Sequence, residues 1–182
     1  LQAARPGLDI AVSRISTRGD ASQSIDRPTS TIGGKGLFTA ELESALRNGT
    51  IDIAVHSAKD LPADLADGTA ILAMPRREDV RDALVIGTDE LAPGSLATIP
   101  LNATFGCGSL RRIGQIKSLR PDLVIQPIRG NIETRIGKVR QGRFAATLLA
   151  VAGLKRTNLL HHAAAVLPVQ QMLPAAGQGA LA

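Results

Sequence analysis

Three times between residues 106 and 156 a turn that pairs glycine with arginine stands where an apolar run gives way to a helix-like stretch. The turns are G-C-G-S-L-R-R (Gly106–Arg112), R-G-N (Arg129–Asn131) and G-L-K-R (Gly153–Arg156). This alternation restricts the fold more than any other feature, because strands that alternate with helices imply an α/β architecture with a mostly parallel sheet. In such sheets ligands sit beyond the carboxyl ends of the strands. One arginine there would be chance. Three successive strand ends aimed at one edge make a cradle for a polyanion.

The remaining pattern fits the same class. Leu8–Ile15 alternates like a strand and T-R-G-D (Thr17–Asp20) turns the chain; Ser22–Thr31 is a polar loop. Gly33–Gly36 leads into a helix over Leu37–Arg47, with Phe38, Leu42, Ala45 and Leu46 on one face and Gly49 as its stop. Ile51–Val55, Ala70–Met74 and Ala83–Ile86 are short strand-like runs, the last two separated by the charged stretch Pro75–Asp82. Gly106–Gly108 opens a helix that ends near Leu119, and Leu123–Ile128 is a strand. Asn131 caps a helix ended by Gly142, and Phe144–Val151 is a buried strand. A helix after Gly153 carries His161 and His162, and Pro168–Pro174 crosses back.

Charge is unevenly placed. The net +5 divides into −4 over residues 1–106 and +9 over residues 107–182, and arginine outnumbers lysine 16 to 5. A guanidinium is a planar fork that grips carboxylate or phosphate oxygens two at a time. The second half is therefore built for a nucleic acid, a nucleotide or a small polycarboxylate. With aromatic residues at 2% and no Trp or Tyr, bases would lack stacking partners. Hydrophobic content of 44% suits a folded chain, and no apolar run is long enough to span a bilayer. The single cysteine, Cys107, excludes an intrachain disulfide.

The most reactive-looking stretch is I-D-I-A-V-H-S-A-K-D-L-P (Ile51–Pro62), an apolar run that ends in His56, Ser57, Lys59 and Asp60. Lys59 beside Asp60 sets an ammonium and a carboxylate in one small volume. Gly33–Gly36 lacks the spacing of a nucleotide-binding loop. G-C-G-S-L-R-R offers backbone N–H groups, Ser109 and two arginines to an anion. Cys107 reads as a small buried residue, and His161–His162 as a surface pair, since adjacent helical residues point about 100° apart and cannot chelate together. No metal site is expected.

These segments resemble the porphobilinogen deaminase (hydroxymethylbilane synthase) family. The matching motifs are T-R-G-D (17–20), G-G-K-G-L-F (33–38), D-I-A-V-H-S-A-K-D-L-P (52–62), R-E-D-V-R-D-A (77–83), G-S-L-R-R (108–112), R-P-D-L (120–123), R-G-N-I-E-T-R (129–135), L-A-V-A-G-L-K-R (149–156) and P-A-A-G-Q-G-A (174–180). They run in family order over essentially the whole chain. The resemblance implies a transferase of tetrapyrrole biosynthesis that joins four porphobilinogen molecules head to tail on a dipyrromethane cofactor, each losing ammonia, to give hydroxymethylbilane. It implies Asp60 as the catalytic carboxylate. Lys59, Ser109, Arg111, Arg112 and Arg135 would hold the cofactor; Arg129, Arg135 and Arg156 the substrate's acetate and propionate; and Phe38 and Gln178 would lie beside the substrate.

It further implies two periplasmic-binding-protein-like (type II) α/β domains with a cleft between them. Domain 1 would be residues 1–75 plus 175–182 and domain 2 residues 81–170, with hinges at 76–80 and 171–174. A monomeric cytoplasmic protein is expected, acting on a small molecule and binding neither nucleic acid nor membrane. The family's opening strand and its third, α+β domain with the cofactor-anchoring cysteine have no counterpart here, so these residues alone are expected to be inactive. Cys107 is not that cysteine: Cys107 and Gly108 stand where the family has Thr and Ser, and Thr31 where relatives often place a lysine. The alternative reading is a non-catalytic periplasmic-binding-protein-like module for small anions.

Overall fold

The computed structural model describes residues 2–17, 39–87 and 95–182. The Ser22–Thr31 loop, the Gly33–Gly36 turn and Phe38 lie outside the described residues. Helix α1 covers Ala40–Arg47, with Glu41 and Glu43 in its first turn and Arg47 in its last, each charge opposing the nearby end of the helix dipole.

One five-stranded sheet organises the rest. Its strands are β1 (Asp82–Ile86), β2 (Thr104–Gly106), β3 (Val124–Gln126), β4 (Ala146–Ala150) and β5 (Ala165–Val166), in the order β3-β2-β4-β1-β5. β2 runs parallel to β3 and β4, whereas β1 is antiparallel to both β4 and β5. Strands β2 to β5 thus share one direction and β1 opposes them, so the sheet is mostly parallel as the alternation demands. Helices α2 (Leu110–Leu119) and α3 (Ile132–Arg140) make the crossovers, and α4 (Val151–Arg156) follows β4 directly.

Both faces of the sheet are buried, which is why β1 and β4 read as near-continuous apolar runs. On one face Leu84, Phe105, Ala146 and Leu148 pack with Ile116 of α2 and with Leu96, Leu123, Leu167 and Met172. On the other, Ala83, Val85 and Leu149 pack with Ile136 and Val139 of α3, Leu154 of α4 and Phe144. Each large side chain so buried contributes about 1.5–3 kcal/mol of transfer free energy.

Several expectations need correcting. Gly106–Gly108 does not open a helix. Phe105 and Gly106 pair with both β3 and β4, Cys107 N–H donates to Gln126 O at 2.8 Å, and the helix starts at Leu110. The helix expected after Gly153 begins earlier, at Val151, and His161 and His162 stand on a separate 3₁₀ turn, Leu160–His162. Leu8–Ile15, Ile51–Val55 and Ala70–Met74 are not strands. A strand exists only where a neighbour takes its N–H and C=O groups, and here Val12, Ile53, Val55 and Leu72 are exposed with no ladder beside them. Pairing resumes only at Ser57, which bridges Leu181.

Candidate functional site

The carboxyl ends of β2, β3 and β4 meet at one edge of the sheet, and the three glycine–arginine turns leave from it. β1, running the opposite way, starts at that edge: its first residue, Asp82, lies opposite Ala150, the last residue of β4. A fully buried carboxylate is thereby delivered among arginines.

Asp82 is gripped from three sides. Arg112 takes it with both arms of its fork, Nε to Oδ2 at 3.1 Å and Nη2 to Oδ1 at 2.6 Å, while its Nη1 donates to Leu148 O at 2.9 Å. Arg111 Nη2 donates to Oδ2 at 2.9 Å, and its Nη1 donates to Leu173 O. Gln178 Nε2 donates to Oδ1 at 2.8 Å and to Val80 O at 2.7 Å. Burial alone would raise the Asp82 carboxyl, but the hydrogen bonds and charges of Arg112 and Arg111 outweigh it and hold the group below its ordinary value.

The Lys59–Asp60 pair reaches this edge through the last eight residues. His56 and Ala182 exchange N–H···O bonds of 2.8 and 2.9 Å, and Ala58 N–H donates to Ala180 O at 3.0 Å. Two glycines permit the close approach. Gly177 (φ +69°) would carry a Cβ 2.9 Å from Lys59 N, and Gly179 (φ +87°) one 2.4 Å from Glu78 O; both backbones also favour glycine outright. Gly179 O then accepts from Glu78 N–H at 3.0 Å and from Arg156 Nη2 at 2.7 Å. Residues 175–182 are a strap that ties the Ala58–Asp60 turn to the chain entering β1.

Lys59 and Asp60 are exposed at the rim and form no salt bridge with each other. Burial of its surroundings lowers the Lys59 ammonium, and Arg112 and Arg111 push the same way against Asp60 and Asp82. Asp60 is raised, again first by desolvation, with Lys59 and His56 opposing. The same arginines therefore lie within electrostatic reach of the lysine from the other segment.

Further in, Arg129 is buried, and Arg135 donates through Nε to Gly130 O at 2.7 Å. Burial lowers Arg135, and the neighbouring guanidiniums of Arg112 and Arg129 add to that. Cys107 is buried beside this group with its thiol raised by desolvation, so it packs as a small apolar residue. Ser109 precedes α2 in extended conformation, its hydroxyl making no capping bond. Gln178 is buried, and its Oε1 has no partner among the described residues. Phe38 lies outside the described residues.

The structure thus gathers Lys59, Asp60, Arg111, Arg112, Arg129, Arg135 and Gln178 around one edge, with Arg156 latching the strap. Sequence reasoning missed Asp82, whose signal is a lone charge opening an otherwise apolar strand (D-A-L-V-I). It also missed Gln115, which exchanges two bonds with the Leu173 backbone, Oε1 accepting at 2.7 Å and Nε2 donating at 3.2 Å. Among the described residues no helix is long and apolar enough to cross a membrane, and no three or more His, Cys, Asp or Glu residues are grouped to hold a metal.

A buried guanidinium group facing an acid–base pair suits a ligand with several carboxylates, and comparison with known proteins bears on which. The family model described as porphobilinogen deaminase, dipyromethane cofactor binding domain, matches residues 1–182. Porphobilinogen deaminase of Roseiflexus castenholzii is 49% identical over 98% of this chain and 57% of its own length. Those of Nitrobacter winogradskyi (50% identical, 95% of this chain, 53% of the relative) and Sorangium cellulosum (49%, 100% and 58%) are equally similar. The chain spans little more than half the length of these curated relatives, 53–58%. Matched from end to end, this chain belongs to the porphobilinogen deaminase family.

Proposed function

We propose that the protein containing this chain condenses four porphobilinogen molecules head to tail, with loss of ammonia, to give hydroxymethylbilane, and that this chain holds the dipyrromethane cofactor and carries the catalytic carboxylate. The observation that carries the reading is the strap, which brings the Lys59–Asp60 turn within electrostatic reach of Arg111 and Arg112. When bound, dipyrromethane supplies the free pyrrole carbon on which the product grows. Its acetate and propionate groups match the guanidinium forks that meet at this edge.

Lys59, Ser109, Arg111, Arg112 and Arg135 bind the cofactor's carboxylates. Arg129, Arg135 and Arg156 take those of the incoming substrate, and Gln178 and Phe38 lie beside it. Asp60 gives a proton to the departing amine and then, as carboxylate, steadies the positive charge that develops on the substrate's pyrrole nitrogen. Desolvation raises its carboxyl above the ordinary aspartate value, the direction that favours a proton donor. We further assign residues 1–75 plus 175–182 and residues 81–170 to two periplasmic-binding-protein-like domains, with 76–80 and 171–174 as the joints. What supports the second unit is that the five strands among the described residues fall within residues 82–166; what supports joining 175–182 to the first is that the strap pairs back to residue 56.

The test is D60N in the full-length enzyme. We expect turnover of porphobilinogen to fall by about 10²–10⁴-fold with the fold retained. Because Asp60 must be protonated to donate, the limb on which turnover falls as pH rises through its titration should sit above the ordinary aspartate value of 3.8. Near-normal turnover by a folded D60N enzyme would remove Asp60 from the chemistry.

A further inference from the structure

Arg111 and Arg112 are adjacent, share one carboxylate and yet differ in what they can still do. Arg112 spends three donor groups inside the protein, two on Asp82 and one on Leu148 O, and its side chain is only 9% exposed. Arg111 gives Asp82 a single bond and Leu173 O another, leaving Nε unspent among the described residues, and is 24% exposed. Two guanidiniums against one carboxylate leave one net positive charge. The bonding pattern puts that charge at the open side, on Arg111. Gln178 and Arg112 pin Asp82 so that it cannot swing to follow a ligand.

We propose that Asp82 is the positioning residue of the anion site: it holds Arg112 in place and aims Arg111 at one ligand carboxylate. This rests on the polycarboxylate reading of the site. It runs against the simplest electrostatic expectation, which is that removing an acid beside an anion site tightens anion binding. It also divides the work differently from a pair of equivalent arginines. Arg112 is the fixed member of the cofactor-binding pair, and Arg111 the arm that Asp82 aims.

The sign of the effect is the test. Porphobilinogen and citrate are titrated by calorimetry against the intact chain, its D82N variant, R111K and the double variant, with thermal melts beside each. We expect D82N to weaken both ligands about tenfold, a loss in the direction opposite to its charge change, equal to about 1.4 kcal/mol. In the R111K background, D82N should change affinity by less than about twofold, because its route through Arg111 is already broken. A loose fold would not show that silence. Equal or tighter binding by folded D82N, or full additivity with R111K, overturns the proposal and leaves the anion site standing. If the unaltered chain binds neither porphobilinogen nor citrate, the polycarboxylate reading falls and the proposal with it. Should D82N be too unstable to titrate, D82E decides: it keeps the charge but shifts the carboxylate by one methylene, so weakened binding supports aiming and unchanged binding refutes it.

Discussion

Gly179 shows how much of the site depends on a side chain that is not there. A Cβ at this position would stand 2.4 Å from Glu78 O, and its φ of +87° is one that other residues rarely adopt. Gly179→Ala should therefore cost about 2 kcal/mol or more, read from urea unfolding, because strain and clash act together. A loss below about 0.5 kcal/mol would mean that the strap yields at little cost. Asp82 teaches the complementary lesson. Its arginine partners lie 29 and 30 positions away and its glutamine 96 away. No local pattern announces such a pairing. Lys59 and Asp60, by contrast, stand out in the sequence as the polar end of an apolar run, but the role expected of Asp60 comes from the family resemblance and not from its neighbours.

At the scale of elements, what could be read from the chain depended on whether an element carries its own partner. Helix α3 does: Asn131 accepts Thr134 N–H at 2.8 Å, and Glu133 and Lys138 flank the two ends as the dipole favours. N131A should cost about 1 kcal/mol, measured by thermal or urea melts, with no change in the sheet. Strands β1 and β4 were legible because they are apolar on both faces. Strand β2 was not, since three residues, one of them glycine, carry almost no pattern of their own. Ile51–Val55 was legible as apolar and still is not a strand. Hydrophobicity fixes which face would be buried, and only a neighbouring backbone makes a ladder.

The whole molecule is unequal in stability by the same logic. Among the described residues the buried apolar side chains concentrate between residues 83 and 172. Residues 51–55 expose Ile53 and Val55 at 59% and 72%. Amide hydrogen exchange should be slowest in β1 and β4, approaching the global unfolding limit, and orders of magnitude faster at 52–55. Comparable protection in both regions would contradict that division. The reversed direction of β1 adds one more consequence. A strand running with the others would have sent its entry to the far side of the sheet, remote from any ligand. Because β1 runs backward, residues 76–81 join the sheet at its arginine-bearing edge, and Gly179 and Gln178 are fastened to that same short length of chain by Glu78 N–H, Val80 O and the Arg77 guanidinium. Any tug along this connection arrives first at a carboxylate holding two guanidiniums. The connection and the grip are one part.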